Sequence, residues 1–179
     1  YQPLGPFQAK AFATSISPWI VTAAALAPFR TEGPPLQKPL LPYLQPQGPA
    51  HYDIDLSVSL APTDCAEEII SRTNAAELYY SSAQQLAHHA SSGCAMNAGD
   101  LLGSGTISGA TKSERGSLLE LTWGGTEPLT LSTGKERCFL EDGDTVTLSG
   151  RARGKGYCIG FGECRGTILP AVSFPRRLP

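Results

Sequence analysis

Asp53-Ile54-Asp55-Leu56-Ser57-Val58-Ser59-Leu60 alternates polar and apolar residues without a break. A period of two turns Ile54, Leu56, Val58 and Leu60 toward a core and leaves the carboxylates and hydroxyls on the opposite face, as in a half-buried strand. Further strands are expected on either side of a turn-rich middle. Leu118 to Trp123 reads as a strand with Leu119, Leu121 and Trp123 on one face and Glu120 on the other. Glu141-Asp142-Gly143-Asp144 reads as a turn leading into a strand over Thr145–Ser149, and Tyr157–Leu169 as a glycine-spaced β segment.

Between these lies one helix. Asn74, with Glu77 three residues on, is a capping pair, and an alanine- and leucine-rich run continues through Gln84-Gln85-Leu86 to Gly93, a natural stop. Residues 28–50 carry seven prolines, Pro28, Pro34, Pro35, Pro39, Pro42, Pro46 and Pro49, a density that predicts no regular structure there. The fold class that follows is mainly β with one prominent helix. The 19 glycines and 15 prolines agree with it, since they imply short elements and many turns.

Composition narrows the function. With 41% hydrophobic and 17% charged residues, the 179-residue chain can bury a core. A formal net charge of −2 and the lack of any long Lys/Arg run argue against nucleic acid, and the longest apolar stretch, Trp19 to Ala27, is too short to span a membrane. A small polar metabolite is the natural partner. Five cysteines (Cys65, Cys94, Cys138, Cys158, Cys164) without a Cys-x-x-Cys pair point to a reducing, cytoplasmic location rather than a disulfide framework or zinc site.

Several constellations could carry chemistry. His88-His89 stands near the helix end, but adjacent helical rings point about 100° apart and do not converge on one metal ion. Asp53-x-Asp55 puts two carboxylates on one strand face, although Ser57 and Ser59 continue that face as an ordinary solvated surface. Gly103-x-Gly105-x-x-x-Gly109 and Gly160-x-Gly162-x-x-x-Gly166 miss the dinucleotide fingerprint by one residue and lack its strand–turn–helix setting. The run Gly99-Asp100-Leu101-Leu102-Gly103-Ser104-Gly105-Thr106-Ile107-Ser108-Gly109 fits a turn whose glycines let backbone approach a ligand, with Thr106 offering a hydroxyl.

Taken in order, these segments resemble the fumarylacetoacetase family. The likeness is carried by Tyr1-Gln2-Pro3-Leu4-Gly5-Pro6-Phe7, Lys10, Thr14, Ser17-Pro18-Trp19, Leu41-Pro42-Tyr43-Leu44, the strand Asp53–Leu60 and Gln84-Gln85-Leu86 with His88-His89. It continues through the Gly99–Gly109 run, Gly116-Ser117-Leu118-Leu119-Glu120-Leu121-Thr122-Trp123, Asp142-Gly143-Asp144 and Gly160-Phe161-Gly162. Residues 1–172 would form one domain and 173–179 a tail. The resemblance implies a β-roll-like catalytic domain, a homodimer, and metal-dependent hydrolysis of the C–C bond of 4-fumarylacetoacetate, a diketo acid, to fumarate and acetoacetate at the end of tyrosine and phenylalanine breakdown. It implies calcium and magnesium as cofactors.

Carried over residue by residue, Tyr1 and Thr106 would contact substrate. Lys10 would lie near the substrate and, with Thr14, near a second, magnesium site, although Ala13 stands where the family usually has glycine. Glu120 would orient the catalytic histidine and its water. That histidine and the calcium-binding carboxylates lie upstream of the position matching Tyr1, so the domain is expected to be incomplete at its N-terminal side and the isolated chain inactive. His88 and His89 match a different, helical segment. A related acylpyruvate hydrolase or decarboxylase, and a catalytically dead scaffold chain, are the competing readings; the Tyr1–Pro6 and Gln84–His89 segments favour the fumarylacetoacetase over the acylpyruvate enzyme.

Overall fold

The computed structural model describes residues 14–172. A short helix α1 (Ala23–Leu26), capped by the Thr22 hydroxyl, leads through a tight turn to β1 (Arg30–Thr31), which pairs antiparallel with β2 (His51–Tyr52). These two-residue strands pinch off the proline-rich segment. Contrary to expectation, that segment is not wholly irregular: besides β1 it contains a 3-10 turn over Pro42–Leu44, with Pro42 at its first position, where a missing N–H costs nothing. Leu44 is buried.

The main sheet is four-stranded and antiparallel, in the order β4 (Glu68–Asn74), β3 (Asp55–Ala61), β7 (Thr145–Arg153), β8 (Cys158–Thr167). The alternating stretch is therefore a central strand, beginning two residues later than its pattern does, because the Asp53 N–H turns to the Phe29 carbonyl (2.8 Å) and the Ile54 carbonyl accepts from the Ala75 N–H (2.9 Å). Register sets Leu56, Val58 and Leu60 opposite Gly150, Leu148 and Val146. Only Leu60 is fully buried (0% exposed), while Leu56 and Val58 are half-covered and Leu148, in the middle of the sheet, is 48% exposed. The apolar face thus borders open space, which matters for the site below. β7 runs on past Ser149 to Arg153, with a bulge near Gly150, whose missing side chain admits Phe161 and Leu56.

The one long helix, α2 (Ser82–Ser91), starts eight residues after its expected cap. Asn74 does cap, accepting from the Ala76 N–H (2.9 Å), but only for a 3-10 turn over Ala75–Glu77. A second capping box wins: Ser81 Oγ accepts from the Gln84 N–H (3.3 Å) while Gln84 Oε1 accepts from the Ser81 N–H (2.8 Å). Both residues are buried, and the Gln84 amide also donates to the Leu44 carbonyl (2.9 Å), anchoring the proline segment on the helix. Gly93 (φ +82°) follows the helix end as expected.

Leu118–Trp123 is not a strand. Ser117 Oγ accepts from the Glu120 N–H (3.3 Å) and opens a four-residue helix α3 (Leu118–Leu121), which is stopped by positive φ at Trp123, Gly124 and Gly125. Leu121 and Thr122 are the buried residues, whereas Leu119 and Trp123, expected to face inward, are 45% and 64% exposed. A six-residue alternation cannot outweigh a serine cap before it and two glycines after it. A small hairpin, β5 (Leu129–Thr130) with β6 (Glu136–Arg137), then carries Arg137 to Asp144.

That pair locks the turn before β7. Asp144 is 0% exposed, and Arg137 donates to both its oxygens, Nε to Oδ2 (2.8 Å) and Nη2 to Oδ1 (3.0 Å), while the Glu141 N–H donates to Oδ2 (2.9 Å). Burial pushes the Asp144 carboxyl up, but the Arg137 hydrogen bond, the Glu141 N–H and the guanidinium charge outweigh it and hold the group below the usual carboxylate range. All five thiols are free. Among the described residues no helix is long and apolar enough to cross a membrane.

Candidate active site

The glycine run has no regular structure but forms a closed loop. The Gly109 N–H donates to the Glu114 carbonyl (3.1 Å), and Glu114 in turn accepts through its carboxylate from the Thr111 N–H and hydroxyl (2.8 Å each). The Thr111 N–H, followed by the Thr111 hydroxyl, holds the Glu114 carboxyl below its ordinary value. Deeper in the loop, the Gly116 N–H donates to Ser108 Oγ (3.0 Å). Gly116 passes so close to the other arm that a Cβ there would lie 2.2 Å from the Ile107 carbonyl oxygen, so the crossing admits only glycine.

This crossing positions Glu120. Ser108 Oγ donates to Glu120 Oε2, and the Arg115 guanidinium donates to the Glu120 carbonyl (2.9 Å) while lying over the Trp123 ring (5.3 Å). With Ser117 capping its N–H, Glu120 is held at main chain and side chain alike. It is half-buried, and its orientation comes from the loop and the cap rather than from a strand. Thr106, two residues before Ser108, is exposed and lines a cavity of about 480 Å³. The cavity floor is the under-covered sheet face, with Leu56, Val58, Leu148 and Phe161. A second cavity of about 400 Å³ continues past Gly116 toward Leu118 and Leu121.

The segment after Thr14 closes the other side. Ser15, Ile16 and Ser17 line the same cavity; Ser17 Oγ donates to the Phe161 carbonyl (2.6 Å), and Trp19 packs where a side chain on Gly162 (φ +74°) would otherwise sit. Thr14 itself is exposed and is not among the lining residues. Tyr1 and Lys10 lie outside the described residues. Of the expected site residues, then, Thr106 lines the cavity and Thr14 precedes its lining residue Ser15, while Glu120, in α3, is tied to the Thr106 segment through Ser108 and is not itself among the lining residues.

The other candidates lie elsewhere. His88 Nδ1 meets the Tyr43 hydroxyl (3.0 Å), with the rings stacked, and His89 is exposed. Asp53 and Asp55 both accept from the Asn74 amide (2.7 and 3.3 Å), and Asp55 pairs with Arg153 (2.9 Å), so the protein itself satisfies this carboxylate pair. Among the described residues no three His, Cys, Asp or Glu side chains cluster closely enough to hold an ion. Thr14 offers a single neutral hydroxyl oxygen, which could contribute to the oxygen shell of a hard cation but not form it alone. Ser108 and Arg115 carry no distinguishing signal in the sequence, because a bond across a glycine-rich crossing leaves no periodic trace.

Comparison with known proteins shows the family. Residues 1–169 match the family described as fumarylacetoacetate (FAA) hydrolase C-terminal. The chain is 54% identical over 175 residues to fumarylacetoacetase of Dictyostelium discoideum, covering 96% of this chain and 41% of that protein. It is 51% identical over 172 residues to the Arabidopsis thaliana fumarylacetoacetase (96% and 41%) and 47% identical over 174 to that of Mus musculus (97% and 42%). It therefore spans about two fifths of the length of these curated relatives. With the match running across both the sheet and the Thr106–Glu120 loop, the chain belongs to the fumarylacetoacetate hydrolase family.

Proposed function

We propose that this chain supplies the C-terminal part of a fumarylacetoacetase, which hydrolyses the C–C bond of 4-fumarylacetoacetate to fumarate and acetoacetate. The observation that carries the reading is the shared loop: Thr106 opens on the cavity, and Ser108, two residues on, bonds the Glu120 carboxylate. In this reading Thr106 and Tyr1 bind the diketo acid and Glu120 orients a histidine that takes a proton from water. Such a carboxylate fixes the tautomer of the ring and stabilises the imidazolium that forms. Water adds to a carbonyl carbon, the C–C bond breaks, and the departing enolate leaves as acetoacetate once protonated. Lys10 would place an ammonium near that enolate.

The reading extends to the rest of the assembly. The four-stranded sheet would be part of a β-roll formed by residues 1–172, in a cytoplasmic homodimer. Calcium or magnesium would supply Lewis-acid stabilisation of the diketo group. By the family resemblance its carboxylate ligands would lie upstream of the position matching Tyr1, with Lys10 and Thr14 bordering a second ion.

The test is product analysis with the full-length protein carrying this chain. Fumarate and acetoacetate should form in equal amounts as the diketone absorbance disappears, and failure to form them would remove the reading. In the same protein Lys10→Met should lower kcat by roughly 10²-fold, with KM little changed, because an ammonium near a developing enolate acts mainly in the transition state. An unchanged kcat with a raised KM would instead make Lys10 a ground-state anchor.

A further inference from the structure

Glu120 is gripped in two separate ways. Its main chain is set by Ser117 and Arg115, neither of which touches the carboxylate. The carboxylate is held through Oε2 by Ser108, its one hydrogen-bond partner among the described residues. A serine hydroxyl has a single proton. Because Ser108 Oγ already accepts from the Gly116 N–H (3.0 Å), that proton is directed toward Glu120. The resulting bond, to an ionised acceptor, belongs to the strong class. One carboxylate oxygen is thereby occupied.

We propose that Ser108 is a positioning residue for the reaction, fixing the rotamer of the Glu120 carboxylate and tying it to the Thr106 segment. The proposal rests on the reading of Glu120 as the group that orients the general base. Ser108 lies two residues from Thr106 on the same arm of the crossing, so substrate contact and carboxylate placement are set by one short stretch of backbone. The alternative is that Ser108 merely closes the loop. That task is shared, since Gly109 and Glu114 bridge the same two arms (3.1 Å) without it.

The experiment uses the full-length protein and 4-fumarylacetoacetate, with Ser108→Ala, Ser108→Cys and Ser108→Thr made in the wild-type and Glu120→Gln backgrounds. Ser108→Ala should lower kcat roughly 10- to 100-fold while KM changes less than about twofold, the pattern of an interaction used in the transition state. Ser108→Thr, which keeps the hydroxyl, should recover most of the rate. Ser108→Cys, close in size but a weak donor, should behave like the alanine variant and keeps the test usable should alanine unsettle the loop. In the Glu120→Gln background Ser108→Ala should cost less than about twofold more, because the two residues act as a unit.

Wild-type kcat in Ser108→Ala beside a crippled Glu120→Gln would overturn the positioning role and leave Glu120 standing. Equal losses in both backgrounds, tracking a lowered melting temperature, would reduce Ser108 to a loop closure and also overturn it. Wild-type kcat in Glu120→Gln would instead sink the underlying reading of Glu120.

Discussion

Replacing Glu120 by Gln in the full-length protein should lower kcat by roughly 10²–10⁴-fold, the range for general acid–base support, with the melting temperature nearly unchanged. Glutamine keeps the shape of the side chain and can still accept from Ser108. It cannot supply the negative charge that stabilises an imidazolium. The fold gives little reason for a stability loss, because the elements packed around position 120 depend on Leu121 and Thr122, which are buried, and on the Ser117 cap, which binds the backbone N–H. Paired kinetics and thermal melts decide the matter. A glutamate serving only to tie down Ser108 would leave kcat at its wild-type value.

Asp144→Ala should act in the opposite way, on stability first. Its removal leaves the Arg137 guanidinium, only 10% exposed, with just the exposed Glu141 carboxylate (3.2 Å) and the Glu136 carbonyl (2.8 Å) as partners, and breaking a buried pair from one side costs up to about 3–5 kcal/mol. For a domain of this size that corresponds to a drop in melting temperature of roughly 6–20 °C. Replacing both partners by apolar residues, as in Arg137→Met with Asp144→Leu, should recover part of the loss, because no buried charge is then left unpaired.

The pH dependence has a definite sign. The folded-state carboxyl of Asp144 lies below its unfolded value, so its contribution is fully present above about pH 4 and is lost as pH falls through the lower folded value. Asp144→Asn should flatten that acid limb. An acid limb unchanged in Asp144→Asn, with a melting temperature close to wild type in Asp144→Ala, would show that the pair contributes nothing net.

Different parts of the molecule were legible to different degrees. Asp53–Leu60 announced itself because eight residues of strict alternation are hard to satisfy in any other way, and the stretch became the central strand β3. What the pattern could not reveal was how little covers that strand, since Leu148 at the sheet centre is half exposed. The helix was expected too early because two capping signatures compete, Asn74 with Glu77 and Ser81 with Gln84. Only the second is followed by an uninterrupted helical run; the chain leaves helical geometry at Leu78, ahead of the edge-to-face pair Tyr79–Tyr80.

Glu120 is the instructive case. Alternation in Leu118–Trp123 suggested a strand that aims the carboxylate outward, yet the aim comes from a four-residue helix and a hydroxyl twelve residues away. Local pattern cannot encode such a contact, because Ser108 and Glu120 meet only where Gly116 lets two arms of a loop cross. The resemblance to the family pointed to Thr106 and Glu120 as separate positions. Their connection through Ser108 emerges from the packing.

The most direct test of the whole account is substrate discrimination by the full-length protein. kcat/KM should be measured for 4-fumarylacetoacetate and for a simple acylpyruvate under the same conditions. A fumarylacetoacetase built around the Thr106–Glu120 loop should prefer the former by roughly 10²-fold or more, since a site that pairs with a substrate's polar groups rejects an analogue lacking them. Equal efficiencies, or a preference for the acylpyruvate, would contradict it.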